Sequence, residues 1–365
     1  MQIQRLREEI QHVKDPRRTS YGNIRHKLED IIIIGLLTIV CIGEDFIDME
    51  NFGGEREQWL KTFLELPYGI PDSDTFRRVF EKLNPKELSI CLNNWLAVNR
   101  EKGTIVGIDG KTIRGSANEA HKAYHVVSAW VAENQITLGE IKTDEKSNEI
   151  TAIPKLLDMI DVEGSIVTAD SMSCQKDIAE KITEKKADYV INLKGNQETL
   201  HNDVSLYFED FAQGCETTTT KEKGHGRIEK REYILETSID WLWQKPDWVN
   251  LNGIGMVRST VEVKGVVRQE TRFFITSLTN VDDFADAVRK HWSIENQLHW
   301  CLDVVFREDA AKAKKDNSPL NMNVLRKVAL SLLRQADMGR IGLRKKMFKA
   351  ALNCSLLEMI VFAEM

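Results

Sequence analysis

The chain has 365 residues, of which 42% are hydrophobic and 29% charged, so it can bury a sizeable core and is long enough for two or three domains. Its formal net charge of −6 argues weakly, as an average, against a polyanionic partner. The longest apolar run, at 31–42, is shorter than the ~18 residues that a membrane span requires. No secretory signal is visible, so we expect a cytoplasmic protein without a membrane partner, in which this run is a buried helix.

Cysteine and charge are distributed in informative ways. The six cysteines are scattered singly, without a C-x-x-C pair, which favours reduced thiols over disulfides. Between Arg307 and Lys349 there are twelve Lys or Arg against four Asp or Glu. This stretch is a candidate phosphate-facing surface, and a solvated helix face is the alternative.

The first part of the chain, residues 1–100, has a helical pattern. Apolar residues recur at helix spacing in KLEDIIIIGLLTIVCIG and in SDTFRRVFEKL. In the second of these segments Ser73 or Asp74 could cap a helix that turns Phe76, Val79 and Phe80 inward. We therefore expect a helical N-terminal domain, which either binds DNA ends through a basic helix or packs as a cap on the rest of the protein.

From Thr104 the pattern changes to short β-type runs. TIVGID, YHVVSAWVA and ITLGEIK are followed by a helical stretch, then SIVTAD, a second helical stretch and ADYVINL. The turn-like break Glu133-Asn134-Gln135 between YHVVSAWVA and ITLGEIK predicts a hairpin. This order predicts a mixed α/β sheet flanked by helices, and it resembles the ribonuclease-H-like fold. Strands and turns at about 198–280 are expected as a β-rich insertion before a last helical region, all within one domain at 101–365.

Two aspartates follow apolar strands of this sheet. Asp109 closes TIVGID and Asp170 closes SIVTAD. Carboxylates at strand ends lie at the edge of a sheet, where α/β proteins place their sites. If the strands are neighbours, a hard cation such as Mg²⁺ relieves the repulsion between the two carboxylates. A helix or turn cap is the alternative for either residue alone.

A third acidic candidate lies in HWSIENQLHWCLDVVF. Glu295 and His299 are four residues apart and would share one face of an α-helix, with Trp292 one turn before. A carboxylate in apolar and aromatic surroundings needs a partner, which a metal ion would supply. An ordinary Glu on a helix surface is the alternative.

Several motifs together resemble one family. GIDGKTIRGS, VTADSM, YVINLKGNQ, KGHGRIEKREY and the long HWSIENQLHWCLDVVFREDAAKAKKDNSPLNMNVLRKVALSLL are similar to the H-repeat-associated insertion-sequence transposases of the DDE type. The N-terminal stretch through GIPDSDTFRRVFEKLNP resembles the associated domain of that family. The resemblance implies that 101–365 is the catalytic domain and that Asp109, Asp170 and Glu295 form its acidic triad.

One departure concerns the third acid. Many related transposases carry Arg four residues before the catalytic Glu and Lys seven residues after it. Here those places hold His291 and Leu302. Asp303 and Glu308 therefore stay open as alternatives to Glu295.

The resemblance also implies the chemistry and the partners. Two Mg²⁺ ions, or Mn²⁺ in their place, would promote in-line hydrolysis and strand transfer at phosphorus. The DNA partners would be the element's terminal inverted repeats and the target, and a homodimer stays open. Expected DNA contacts are Lys111, Arg114, Lys194, Asn196, His225, Arg227, Arg231, His299, Lys314 and Lys315. Arg326 and Lys327 lie in the same basic stretch as the last two, and solvated surface charge is the alternative for these cations.

Two other functions are consistent with parts of the sequence. His291, Glu295 and His299 recur every fourth residue and could ligate the zinc ion of a hydrolase, although that leaves Asp109 and Asp170 unexplained. The other is a DNA-binding remnant of a transposase that has lost catalysis.

Overall fold

A computed structural model describes residues 2–18, 22, 24–96, 104–119, 121–143, 148–224 and 226–362. The chain divides into two compact units. The first comprises 1–100, 110–146 and 295–365, and the second comprises 101–109 and 147–294. Each unit is therefore assembled from separate stretches of the chain.

The first unit is mainly helical, as the pattern over residues 1–100 predicts. Its helices are α1 (Gln2–Ile10), α2 (Leu28–Val40), α3 (Phe46–Glu55), α4 (Glu57–Leu60), α5 (Ser73–Lys82), α6 (Pro85–Leu96), α11 (Ser318–Gln335), α12 (Leu343–Leu352) and α13 (Cys354–Phe362). It also contains the antiparallel hairpin of β2 (Tyr124–Val131) and β3 (Ile136–Thr143), whose turn lies at the predicted break. Helix α11 packs against α2, α5, α6 and β3 and so forms the centre of this unit.

Helix α2 is the predicted buried helix. Every residue from Asp30 to Val40 is buried, because the run is apolar all round and has no face for solvent. Gly35 allows Phe80 and Leu325 to approach, since an added Cβ would meet their side chains at 3.1 and 3.4 Å. In α5 the inward residues are those predicted, but the N-cap is Asp72, one residue before the two candidates.

The second unit holds most of the sheet. Its strands are β4 (Ile166–Ala169), β5 (Asp188–Leu193), β6 (Glu216–Gly224), β7 (Arg227–Glu236), β8 (Gly253–Val263) and β9 (Val266–Thr276), and its helices are α7 (Glu149–Met159), α8 (Lys176–Glu184), α9 (Glu198–Phe211) and α10 (Val281–Ser293). The order from β1 (Ile105–Ile113) is β1-β4-β5-β9-β8-β7-β6. The pairs β1–β4 and β4–β5 are parallel, and the pairs after β5 are antiparallel.

The succession β1, β2, β3, α7, β4, α8, β5 is the one predicted from the sequence. With β3, β2, β1, β4 and β5 in that spatial order, the ribonuclease-H-like fold is confirmed. Strand β1 belongs to both units, because its residues up to Asp109 fall in the second and those from Gly110 in the first.

The stretch at 198–280 contains the predicted β-rich insertion, but it also contains a helix that the sequence did not suggest. Helix α9 occupies 198–211, with Leu200, Val204 and Phe208 buried at helix spacing. Only these three side chains form its buried face, so its apolar periodicity is weak.

None of the helices in the described part of the chain has the length and apolar character needed to cross a membrane. The six cysteines are free thiols, as expected, and Cys91, Cys174 and Cys301 are buried.

Candidate active site

Asp109 and Asp170 occupy equivalent positions on neighbouring parallel strands. The β1–β4 register ends with Ile108 opposite Ala169, so each aspartate is the next residue on its strand. Adjacent strands lie about 4.8 Å apart, which brings the two carboxylates to one edge of the sheet. Asp109 does not end its strand as predicted, because β1 continues to Ile113.

The carboxylate of Asp170 is oriented by its own turn. Its Oδ1 accepts hydrogen bonds from the backbone N–H of Ser173 at 3.2 Å and from the Ser173 hydroxyl at 3.0 Å. Asp170 is thus the N-cap of the short turn 171–173, so the capping role considered for it is real. No residue in the described ranges donates to the other oxygen, Oδ2.

His291 of α10 supports the strand that carries Asp170. Its Nδ1 forms a 2.9 Å hydrogen bond with the hydroxyl of Thr168, two residues before Asp170. Burial lowers the pKa of His291 to about 4, although the charge of Asp170 opposes that shift. The ring is therefore neutral at physiological pH and helps to fix the end of β4.

Glu295 lies in an unusual stretch of helix. Residues Ile294–His299 and Cys301–Val305 are wound as π-helix directly after α10. In a π-helix the hydrogen bonds run from i to i+5, so this stretch is wound more widely than the α-helix that the sequence predicts. Glu295 is exposed, and π-helical turns are frequent at functional sites.

His299 belongs to the interior of the first unit. Burial, together with the nearby cations Lys327 and Lys111, lowers its pKa to about 3. A neutral, half-buried imidazole among cations has no charge to offer a phosphate, so the predicted DNA contact at His299 is not supported.

Lys111 lies in a buried cluster of charges. Its Nζ is 2.7 Å from Asp303 Oδ1 and 2.9 Å from Glu308 Oε2. Asn323 donates to Glu308 Oε1 at 2.8 Å, and Arg326 lies 3.5 Å from the same oxygen. Burial by itself raises the pKa of Glu308, but Lys111 and Arg326 outweigh burial and hold the pKa below its usual value. Lys111 is thus a partner of carboxylates here and not a free phosphate contact.

Gly115 allows two segments of the chain to pack closely beside this cluster. A Cβ at Gly115 would lie 2.5 Å from the carbonyl oxygen of Glu308 and 3.0 Å from that of Asp309. The turn of the GKTIRGS motif, Arg114–Ser116, can therefore pack directly on the backbone of the REDA motif. The first motif supplies Lys111 and the second supplies Glu308 to the cluster.

The basic stretch near the end of the chain is divided between surface and core. Arg326 and Lys327 are buried, and Lys327 pairs with Glu140 and donates to the Ser128 hydroxyl at 2.8 Å. They cannot meet DNA phosphates as expected, because both are buried and already paired, Arg326 with Glu308 and Lys327 with Glu140. Lys314 and Lys315 are exposed, and Lys315 lies 3.3 Å from Glu81.

The other predicted DNA contacts differ in their surroundings. Arg114 and Lys194 are exposed, and the exposed Asn196 donates to the carbonyl of Ser171 at 2.8 Å. Arg227 and Arg231 lie on strand β7 and not in a loop, and both pair with Glu229. His225 lies outside the described residues.

Among the residues that the structure describes, no group of three or more His, Cys, Asp or Glu side chains is arranged to hold a metal ion. This includes the predicted zinc set of His291, Glu295 and His299. The β1–β4 register places the carboxylates of Asp109 and Asp170 side by side, and it involves no third carboxylate.

Known proteins similar to this chain identify its class. Residues 100–332 match the family described as "Transposase DDE domain", and residues 7–96 match the one described as "DDE_Tnp_1-associated". The chain belongs to the DDE transposase family.

Individual relatives agree with this assignment. "Putative transposase YncI" of Escherichia coli O157:H7 is 36% identical over 376 residues, which cover 99% of this chain and 95% of that protein. "H repeat-associated putative transposase YhhI" of Escherichia coli (strain K12) is 35% identical, covering 99% of this chain and 98% of that protein. The resemblance to H-repeat-associated transposases is confirmed.

Sequence reasoning missed two features of this region. The π-helical winding has no signal in the apolar pattern, which fits an α-helix equally well. The role of Ser173 as donor to Asp170 could have been found, because a Ser three residues after an Asp is a recognisable capping pattern.

Proposed function

We propose that this chain cleaves and joins DNA at the ends of an insertion sequence, using divalent metal ions held by Asp109, Asp170 and Glu295. The observation that carries the proposal is the β1–β4 register, in which Asp109 and Asp170 each follow the last paired residue. Membership of the DDE transposase family supports the same chemistry.

The two aspartates suit a hard cation. Ionised carboxylates about one strand spacing apart repel each other, and a divalent ion between them removes that cost. Oxygen donors are those that Mg²⁺ prefers, and Mn²⁺ can occupy such sites as well. Ser173 binds one oxygen of Asp170 and so directs the other, which supports a role as an oriented ligand.

Glu295 is the best third ligand of the three acids considered. Asp303 and Glu308 are both paired with Lys111, and Glu308 is fully buried. Releasing either for a metal would leave the Lys111 charge in a buried place with less compensation. Glu295 is exposed, and within the described ranges no cation pairs with it.

When bound, the ions would lower the pKa of an attacking water or DNA 3′-hydroxyl and stabilise the leaving oxygen. The protein's own groups would hold and orient the reactants. His291 and Thr168 fix the strand end before Asp170. The exposed cations Arg114, Lys194 and Lys314 would contact phosphates of the element end and of the target.

The test is a nicking assay on DNA that carries the element end, with Mg²⁺ or Mn²⁺. Asp109→Asn, Asp170→Asn and Glu295→Gln should each reduce cleavage by a factor of roughly a thousand or more, because each change removes a metal ligand and preserves shape. Binding of Mn²⁺, followed by electron paramagnetic resonance, should weaken in the same variants.

Asp303→Asn is the matched comparison for the third ligand. If it abolishes cleavage and Mn²⁺ binding while Glu295→Gln does not, Glu295 is not the ligand. A wild-type protein that binds element-end DNA but neither binds Mn²⁺ nor nicks DNA would instead be an inactive remnant. A requirement for Zn²⁺ would favour the alternative function, a zinc hydrolase that uses His291, Glu295 and His299.

A further inference from the structure

An exposed aromatic surface lies on the second unit, on helix α9 and the loop after β7. Leu206 and Phe211 of α9 are 61% and 58% exposed, and Trp243 in the loop after β7 is 83% exposed. Trp241 in the same loop is also exposed. Large apolar side chains exposed together usually mark an interaction site.

Tyr207, Phe211 and Trp241 form one continuous aromatic stack, with Leu206 next to Tyr207 on α9 and Trp243 two residues after Trp241. The Tyr207 ring stacks on Trp241 at 4.7 Å and on Phe211 at 5.2 Å between ring centroids. Gln244 donates to Asp203 at 2.7 Å and so fixes the loop on α9. The aromatic rings are thus held rigidly before any partner arrives, which reduces the entropy lost on binding.

The charge around this surface is negative. Glu209 and Asp210 of α9 are exposed beside Leu206 and Phe211. Asp240, next to Trp241, is exposed and pairs with Lys245 at 2.6 Å. A carboxylate rim repels phosphates, so the surface does not fit DNA. We call the set Leu206, Phe211, Trp241 and Trp243 with Glu209 and Asp210 the acidic aromatic surface.

The first unit carries a surface of the opposite kind on α12. Phe348 and Leu352 are 57% and 70% exposed, and Arg344, Lys345 and Lys349 are exposed beside them. Positions 344, 348 and 352 lie on one stripe of the helix, and 345 and 349 lie on the next. Among the described acidic residues, none forms an ion pair with these three cations. We call these five residues the basic apolar face.

We propose that the acidic aromatic surface of one copy of this chain binds the basic apolar face of a second copy. Both surfaces combine exposed apolar side chains with charges of one sign, and the signs are opposite. Aromatic residues supply the buried centre of such interfaces, and complementary charges at the rim set partner and orientation. The proposal does not depend on the catalytic role of Asp109, Asp170 or Glu295.

The experiment is sedimentation velocity of the full chain over a concentration series, without DNA. We expect wild type to self-associate, and Phe211→Ala with Trp243→Ala to weaken association at least about tenfold, because exposed aromatic anchors dominate such interfaces. Tyr68→Ala is the matched control, since Tyr68 is equally exposed on the first unit and should leave association unchanged.

Charge reversal identifies the partner surface. Glu209→Lys with Asp210→Lys should weaken association, and so should Lys345→Glu with Lys349→Glu. An equimolar mixture of these two variants should associate again, because each reversed surface then meets an opposite charge. Wild type that stays monomeric at the highest concentration, an aromatic double variant that associates normally, or a mixture that fails to recover would each overturn the proposal.

Discussion

Asp170 and Glu308 are both acids within motifs that resemble the family, and their environments are opposite. Asp170 sits at a strand end, where one oxygen accepts from Ser173 and no cation is paired with it among the described residues. Glu308 is fully buried and lies between Lys111, Asn323 and Arg326. A ligand needs free oxygens, whereas a structural carboxylate needs its charge cancelled.

This difference gives a way to distinguish metal ligands from structural carboxylates among the acids of one chain. The resemblance to the family does not separate the two residues, because each lies within a motif that carries it. The partners separate them, since cations that already neutralise a carboxylate leave it little to offer a metal ion. The predictions below test whether this separation holds.

The largest effect is expected at the structural acid. Glu308→Ala should lower the free energy of unfolding by about 3 to 5 kcal/mol, because it leaves Lys111 and Arg326 buried with less compensation. Urea unfolding would measure it. Asp170→Asn should cost far less, so equal losses for the two variants would contradict the sorting.

A somewhat smaller effect on the free energy of unfolding is expected at Gly115, where the turn Arg114–Ser116 packs on the backbone of Glu308. Gly115→Ala should lower the free energy of unfolding by about 3 kcal/mol, since the added Cβ would press on the backbone carbonyl of Glu308, which has no side-chain freedom to yield. Gly195→Ala is the control, because no atom lies within 4 Å of a Cβ there. Equal stability of the two variants would show that the two motifs do not pack as described.

A buried acid that lacks a cation offers a third environment. Burial and the neighbouring Glu29 raise the pKa of Asp30 on α2 to about 6 from an ordinary value of 3.8. The folded state therefore favours the protonated form, and the stability it contributes is full below pH 3.8 and is lost as pH rises through about 6.

Asp30→Asn should accordingly raise the free energy of unfolding by about 3 kcal/mol at pH 8, and by only about 0.5 kcal/mol at pH 4. Urea unfolding at the two pH values would measure the change. A variant that is less stable at both would mean that the Asp30 carboxylate is stabilised by a partner when ionised.

The smallest effect on stability is expected for exposed cations. Lys314→Ala with Lys315→Ala should change unfolding little, because both side chains are exposed and a surface ion pair such as Lys315 with Glu81 contributes about 0 to 1 kcal/mol. The double variant should weaken DNA binding equally for element-end and unrelated DNA, and reduce the salt slope by about 0.9 per lost phosphate contact. Unchanged affinity at low salt would mean that both lysines are solvated surface charges that do not contact DNA.

Much of the fold could be predicted from local pattern. The apolar run of α2, the hairpin of β2 and β3 and the strands that precede Asp109 and Asp170 all follow from periodicity. Helix α9 could not, because few of its residues are buried, and neither could the continuation of β1 beyond Asp109. Periodicity reports which faces are buried and is silent where an element is mostly exposed.

The site was only partly accessible to the same reasoning. The aspartate pair could be predicted from the ends of two apolar strands, but the burial and pairing of the cations could not. The charge pattern placed Lys111, Arg326 and Lys327 on a DNA-facing surface, but Lys111 and Arg326 pair with Glu308 and Lys327 pairs with Glu140. Such pairing depends on tertiary contacts that charge counts cannot reveal.

The position of α2 has a consequence during synthesis on the ribosome. Its isoleucine-rich surface is covered in part by α11, where Leu325 lies against Gly35. Because α11 begins at Ser318 and α2 ends at Val40, translation at roughly 5 to 20 residues per second leaves that surface uncovered by α11 for about 14 to 56 seconds. The nascent chain therefore exposes an aggregation-prone apolar helix for most of its elongation. Holdase chaperones that shield such segments should determine what fraction of the chains reaches the native state.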